Sequence, residues 1–346
     1  MISERRYQLI RTLLAIAIAL LIAFAIILFV SDDPLATIRA FIIGPLTNKR
    51  YIGNVIEAAI PLAFAGLATS ILFQTNLFNL GSEGLFYISG LVATIVVLKL
   101  PLTGFLLPTV AIIAAALLSM LLGVIPGFLK AKWNANVLVT SLMFNSIYFG
   151  IGLYILNYYF RDASQVAIVS SKFPLSARLA KVVPGTRIHA GIFILIAVTI
   201  LVYLFLYKTK WGYALRMTGI NQKFANYSGV KTFRVIIYAH LLAGLIAGIG
   251  GSVEVLGMYT RFRWTALPGL GFDGALVAML GKNKPFGSVG AALFLAYIRI
   301  GADLMARLTN VPAEMVAIIQ AVIILLISAE RFLFYWRHKM LLKEAK

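Results

Sequence analysis

From Leu13 onward the chain is a succession of apolar runs, several of them close to 20 residues long, separated by short polar breaks. The hydrocarbon core of a bilayer is about 30 Å thick, and a helix of about 20 residues is needed to cross it. Lipid offers no partners to backbone N–H and C=O groups, so runs of this length satisfy them internally, as helices. At 61% hydrophobic and 12% charged residues, the composition is far from that of a soluble globular domain.

Leu13–Val30 is too long for the apolar region of a signal peptide. It ends in Ser31-Asp32-Asp33-Pro34 rather than in small residues, and so reads as a retained first span. Further spans are expected at 52–74, 85–100, 104–128, 135–156, 189–207, 235–257, 264–281, 286–305 and 312–329. The expectation is an all-α polytopic membrane protein of about ten transmembrane helices, one membrane domain over residues 1–346, with broken or re-entrant segments. Arg5, Arg6 and Arg11 before the first span, and Arg331, Arg337, Lys339, Lys343 and Lys346 after the last, place both termini in the cytoplasm. The 157–188 loop then lies outside, although it carries Arg161, Lys172, Arg178, Lys181 and Arg187 against one acid. That dilutes the positive-inside signal, and orientation rests on the termini and the long central loop.

The formal charge of +19 raises the possibility of a nucleic acid partner. Basic residues flanking membrane spans account for it better, through orientation and contact with anionic headgroups, and no nucleic acid polymer is expected. Cysteine is absent, which excludes disulfides and thiolate metal sites.

Between Lys208 and Arg234 the chain turns polar and basic, with six Lys or Arg and no acid. Asn221–Tyr227 is expected to form a short helix capped by Asn221 and closed by Gly229. A channel or a lipid enzyme has little use for such an insert, whereas a transporter domain that takes force from a soluble motor needs one. The 264–281 span is interrupted by Pro268, Gly269, Gly271 and Gly274, and a second interruption, Asn76–Gly84, joins the second and third spans. Broken segments in both halves of a transporter point to the translocation route.

Asn79, Ser82 and Glu83 lie in that second interruption. They read either as a cytoplasmic turn, with Ser82 capping the next helix and Glu83 favoured by its dipole, or as a pore-lining loop closing the inner mouth. Asn136, Thr140, Ser141 and Asn145 follow on one span, with Asn136, Thr140 and Asn145 expected on one face. Polar side chains there serve as interhelical glue, or as the uncharged path a neutral polyhydroxylated solute requires. Glu254 and Asp273 are intramembrane acids and hence functional candidates, with Arg261 or Arg263 as possible cations. Arg299 stands one turn from Asp303. His240 reads as a bonded core residue, and Gly244–Gly248 as close helix packing. No phosphate loop is present, since Leu276 stands where the first glycine before Gly281-Lys282 would be, and no HExxH or GxSxG occurs. The chain is not expected to be an enzyme or to hydrolyse ATP itself.

These residues resemble a known family, the permease subunits of bacterial ABC importers for branched-chain amino acids, simple sugars and nucleosides, closest to its nucleoside-type branch. The resemblance runs from about Val55 to Leu326, through Glu57–Ala68, Leu77–Gly84, Asn136–Asn145, Thr186–Gly191, Gly212–Asn221, Ala225–Gly229 and Gly271–Pro285. Val137 stands where the family usually has an acid, and Ser82 where alanine is common. The resemblance implies a bacterial inner-membrane permease importing a nucleoside or similar sugar-bearing solute. Its partners would be a second homologous permease, a cytoplasmic ATPase that binds the ATP and Mg, and an extracytoplasmic substrate-binding lipoprotein. Arg216, Gly219, Asn221, Ala225 and Gly229 would couple to the ATPase. By similarity to the related vitamin B12-type fold, the loop around Asn79 and the helix start at Thr140 and Ser141 would form the gate. An ion-coupled secondary transporter using Glu254 or Asp273 as proton carrier is the rival, and an importer of simple sugars or branched-chain amino acids differs only in solute.

Overall fold

The computed structural model describes residues 31–312, together with residues 17, 18, 21, 22, 24, 25, 27, 28, 318, 321 and 322. The expected spans at 13–30 and 312–329, and both termini, fall almost wholly outside these residues. Among the described residues every regular element is a helix, and β pairing is confined to two isolated bridges, Arg161 with Ser170 and Lys181 with His189.

Among the described residues, seven helices are long and apolar enough to cross a membrane. We number the helices in chain order. After the short α1 (Pro34–Ile42) come α2 (Lys49–Gln74), α3 (Ser82–Lys99), α4 (Leu106–Trp133) and α5 (Val137–Ile155, continued by a π turn over Leu156–Phe160). Then follow α6 (Gly191–Lys208), α7 (Lys210–Ile220), α8 (Gln222–Tyr227), α9 (Thr232–Met258), α10 (Leu270–Leu280) and α11 (Pro285–Leu308). The spanning helices are α2, α3, α4, α5, α6, α9 and α11, each within a few residues of an expected span.

The expected crossing at 264–281 is corrected. Only α10 is helical there, and its 11 residues rise about 16 Å, roughly half the hydrocarbon thickness. Pro268, and Gly269 at φ +80°, hold the preceding segment out of the helix.

The chain divides into two compact units. The first comprises residues up to Ile52 and from Tyr297 on. In it, Asp33 caps α1 by accepting the Ala36 N–H at 3.0 Å, and the Tyr297 hydroxyl donates to the Ile42 carbonyl. Gly53–Ala296 forms the second unit, in which α9 packs along α4 and α3, and α3 also meets α5 and α10. The pairing of α9 with α4 depends on small residues. A Cβ at Gly244 would stand 2.5 Å from the Ser119 carbonyl oxygen, and one at Gly248 would stand 2.8 Å from the Ala116 Cα. The GxxxG is therefore a packing face, as expected. His240 packs in the same seam, its Nδ1 donating to the Ile236 carbonyl at 2.9 Å. The 157–188 segment is laid along the end of α9 by main-chain bonds from Ser170, Phe173 and Leu179 to Phe262, Thr260 and Leu256.

Candidate functional site

The loop leaving α2 turns back at once. Asn76 adopts φ +57°, and the Leu77 N–H returns to the Leu72 carbonyl at 3.0 Å. Asn79 is buried, and its side-chain oxygen accepts the Gly81 N–H at 2.5 Å. α5 holds the rest of the loop: Ser141 Oγ accepts the Leu80 N–H at 3.2 Å, and Asn145 makes two bonds. Its Nδ2 donates to the Leu80 carbonyl at 3.0 Å, and its Oδ1 accepts the Gly84 N–H at 2.9 Å. The helices approach as closely as glycine permits, since a Cβ on Gly84 would lie 2.7 Å from the Asn145 Cα.

Glu83 acts on a distant part of the chain. Its Oε1 accepts the Gly269 N–H at 2.5 Å and its Oε2 the Gly271 N–H at 2.7 Å. The carboxylate thus covers the N-terminus of α10, where unpaired N–H groups and the positive end of the helix dipole favour an anion. A Cβ on Gly271 would lie 2.7 Å from the Glu83 Cβ, so the broken segment needs glycine there to seat the acid. Ser82 does not cap α3. Gly81 is the cap residue and makes no side-chain bond, while Ser82 Oγ is buried with no hydrogen-bond partner among the described residues. Of the N–H groups a serine cap would serve, that of Gly84 is met instead by Asn145.

The expected single polar face on α5 is also corrected. Ser141 and Asn145 lie on the buried face with Tyr148, whereas Asn136 is exposed and Thr140 is half-buried. Asn136 caps α5 by accepting from Leu138 and Val139, and the Thr140 hydroxyl donates back to the Asn136 carbonyl at 3.0 Å. Nine residues separate Asn136 from Asn145, which at 100° per residue puts them on roughly opposite sides of a helix.

Of the acids, Glu57 and Glu254 are both buried. The Arg187 guanidinium lies 4.0 Å from Glu57, and Glu254 Oε2 has no hydrogen-bond partner among the described residues. Asp273 sits in the first turn of α10. Arg261, expected near the broken segment's acids, pairs with Asp162 at 3.2 Å, and Arg263 lies over the Tyr259 ring. Ser164, through its hydroxyl and amide, holds the Asp162 carboxyl below the usual range, and Arg261 adds to this. Asp303 is bound by Arg307, one turn further along α11, at 3.0 Å. His189 is buried beside the start of α6, its Nδ1 accepting the Gly191 N–H at 3.2 Å, and burial pushes its pKa down to about 4. A cavity of about 20 Å³ lies behind the 75–81 loop, lined by Thr69, Asn79, Ser82, Ser141, Tyr148 and His240 among others. That is room for about one water and far short of a sugar.

The 208–234 segment folds as expected at its tip and adds a helix that was not foreseen, α7. Asn221 caps α8 by accepting the Phe224 N–H at 3.0 Å, Ala225 is fully buried, and Gly229 closes the turn at φ +84°. Arg216 lies over the Tyr207 ring, 4.9 Å from its centre. Gly219, at the end of α7, presses its backbone against the Gln74 carbonyl and Thr75, where the 75–81 loop leaves α2. Gln74 is further tied by its Nε2 to the Asn283 carbonyl at 2.6 Å. Three residues missed from the sequence stand out here. Ile220, Phe224 and Tyr227 are 81%, 56% and 92% exposed. Phe224 and Tyr227, at i, i+3, share one side of α8, a signal that was readable in an otherwise polar loop, while Ile220 ends α7 just before the extended Asn221.

Comparison with known proteins follows the same residues. The family model described as the permease component of the branched-chain amino acid transport system matches residues 51–328. The glucose ABC transporter permease protein TsgB13 of Haloferax volcanii is 31% identical over 93% of this chain and 88% of its own length. NupP, a guanosine ABC transporter permease protein of Bacillus subtilis, is 32% identical over 94% of each chain. The nucleoside ABC transporter permease protein NupB of Lactococcus lactis is 25% identical over 92% of this chain and 90% of its own. A match over this much of the chain, together with seven helices long and apolar enough to cross a membrane among the described residues, makes this multi-pass membrane protein a member of the branched-chain amino acid transport system permease family.

Proposed function

We propose that the chain is the membrane-spanning subunit of an ATP-driven importer for a nucleoside or a similar neutral, sugar-bearing solute, and that a separate ATPase supplies the energy. The observation that carries this reading is the exposed apolar side of α8, Phe224 and Tyr227, with Ile220 exposed at the end of α7, all outside the membrane spans on a capped two-helix insert. Exposed apolar clusters on an otherwise polar surface mark docking sites. A secondary transporter, whose energy enters through the ion it carries, has no use for one.

From that face a continuous path leads inward. α8 joins α7, Gly219 of α7 abuts Gln74 and Thr75, and these begin the loop that Ser141, Asn145 and Glu83 hold against α5 and α10. Closure of the ATPase would move α8 and α7 together and shift this loop between two packings, which is alternating access. The orientation follows from the same reading: the insert and both termini face the cytoplasm, in about ten crossings of the bacterial inner membrane.

A solute of nucleoside size does not fit the 20 Å³ cavity. Between α2, α6 and α11 lies a cavity of about 290 Å³, but apolar side chains make up almost all of its lining. The solute path is therefore assigned to the junction with a second, homologous permease. An extracytoplasmic lipoprotein would deliver the solute to the surface that carries Arg178 and Lys181. As to the solute, glucose and guanosine name relatives of nearly equal identity, so identity does not choose between them. Both are neutral and polyhydroxylated.

Phe224→Asp with Tyr227→Asp tests the docking face. The double variant should insert and purify normally yet fail to retain the ATPase on co-purification. Retention equal to that of the unaltered chain would refute the assignment.

A further inference from the structure

Where α6 gives way to α7, and the loop after α8 enters α9, the surface opens into a groove of about 310 Å³. Lys210, Trp211, Ala214, Gly229, Lys231 and Arg234 line it. The three cations are exposed, and none is paired with a carboxylate among the described residues. The first turns of both α7 and α9 form its walls, and neither holds an acid. α9 begins without a side-chain cap, so its first N–H groups have no side chain to meet them. Positive charge and unpaired donors therefore converge on one concavity with nothing negative to balance them.

The opposite rim is apolar and aromatic. Trp211 is half exposed and meets Tyr238 edge-on, 5.0 Å between ring centres, and Tyr238 is itself exposed. Tyr238 already belongs to α9, one of the membrane-crossing helices. Tryptophan and tyrosine gather where hydrocarbon meets headgroups. The groove therefore straddles that boundary, cations on the water side and rings on the lipid side.

We infer that this groove is a binding site for an anionic phospholipid, with the headgroup phosphate among Lys210, Lys231 and Arg234 and the upper acyl chain along Trp211 and Tyr238. An acidic protein surface would answer the three cations but leave the aromatic rim on the hydrocarbon unexplained. Placing the lipid in the cytoplasmic leaflet rests on the orientation proposed above, but the site itself does not. Because one wall is α7 and the other α9, the bound lipid ties the docking insert to a membrane helix.

The test uses the purified full-length chain in detergent micelles, with Trp211 as reporter and Trp211→Phe subtracting the other tryptophans. Phosphatidylglycerol brominated in its acyl chains should quench Trp211 at lower concentration than brominated phosphatidylcholine does. Each Lys or Arg contributes about fivefold to binding an anionic headgroup, so Lys210→Gln, Lys231→Gln and Arg234→Gln together should weaken the phosphatidylglycerol response on the order of a hundredfold. Equal quenching of the unaltered chain by the two lipids would overturn the proposal without any variant. So would unchanged quenching in the triple variant, or displacement of the lipid by inorganic phosphate at matched concentration, which would mark a free-anion site. Loss of ATPase binding in the triple variant with lipid quenching intact would make the groove a protein-docking surface instead. A failure of the Phe224 and Tyr227 test leaves these outcomes untouched, so the two readings can fail separately.

Discussion

Glu83→Gln changes the charge of one buried side chain and almost nothing of its size. The carboxylate now accepts two N–H groups, from Gly269 at 2.5 Å and Gly271 at 2.7 Å. A glutamine can accept one of them through its oxygen, but its amide nitrogen then turns donors toward the other. Hydrogen bonds to a charged group contribute about 1.5–3 kcal/mol net, and a buried N–H left unpaired costs about 1–3 kcal/mol. The interaction with the α10 dipole adds about 0.3–1 kcal/mol. Allowing for relaxation, the start of α10 should be looser by about 2–4 kcal/mol, or roughly 30- to 1,000-fold in a local opening equilibrium at 1.4 kcal/mol per tenfold. Hydrogen–deuterium exchange reads that equilibrium directly. Peptides covering 268–272 should exchange faster by that factor in Glu83→Gln, while the α9 segment around Gly248 stays as protected as before. Glu83→Asp keeps the charge but loses one methylene of reach, and should fall between. Unchanged exchange at 268–272 in a folded Glu83→Gln protein would refute the claim that this carboxylate holds the broken segment.

Three further expectations rest on other residues. Gly219→Ala drives a methyl group into the Gln74 carbonyl, so transport should fall at least tenfold while assembly with the ATPase persists; normal uptake would break the proposed link from insert to loop. His189, with its pKa held near 4 against an ordinary value of 6.5, is neutral when folded and takes up a proton on unfolding. Stability should therefore be full above about pH 6.5 and fall as the pH drops toward 4, by up to about 3 kcal/mol, a slope that chemical unfolding of His189→Gln should lack. Arg178→Glu with Lys181→Glu should slow the association of the lipoprotein with the complex, most at low salt, because rim charges steer encounter and are screened; a rate indifferent to salt and to the charges leaves only a headgroup role.

How far the sequence could be read follows from how local each signal was. Apolar runs gave the spanning helices α2–α6, α9 and α11 nearly in register, because length and hydrophobicity are properties of the segment itself. The α8 turn was readable for the same reason, Asn221 and Gly229 acting on groups a few residues away. Glu83 was not, since its partners Gly269 and Gly271 lie far along the chain, and a lone acid at a helix start looks like a cap for its own helix. On α5 the expected polar face failed on arithmetic, and the residues that matter there, Ser141 and Asn145, are spent on the 75–81 backbone. Arg261 had two candidate acids nearby in sequence and took Asp162 instead, in the 157–188 segment. The short α10 was foreshadowed by Pro268 and Gly269, and its end at Leu280 falls one residue from the expected 281, where Gly281-Lys282-Asn283 ends the apolar run.

The central claim is that ATP, and not an ion gradient, drives a neutral sugar-bearing solute through this chain. Reconstituting the chain with its second permease, ATPase and lipoprotein in liposomes, and following radiolabelled guanosine with a protonophore present, tests it most directly. The account predicts accumulation that requires ATP, survives collapse of the proton gradient and is outcompeted by other nucleosides but not by a branched-chain amino acid. Uptake that persists without ATP and vanishes with the protonophore would contradict it, and would return Glu254 and Asp273 to the centre of the mechanism.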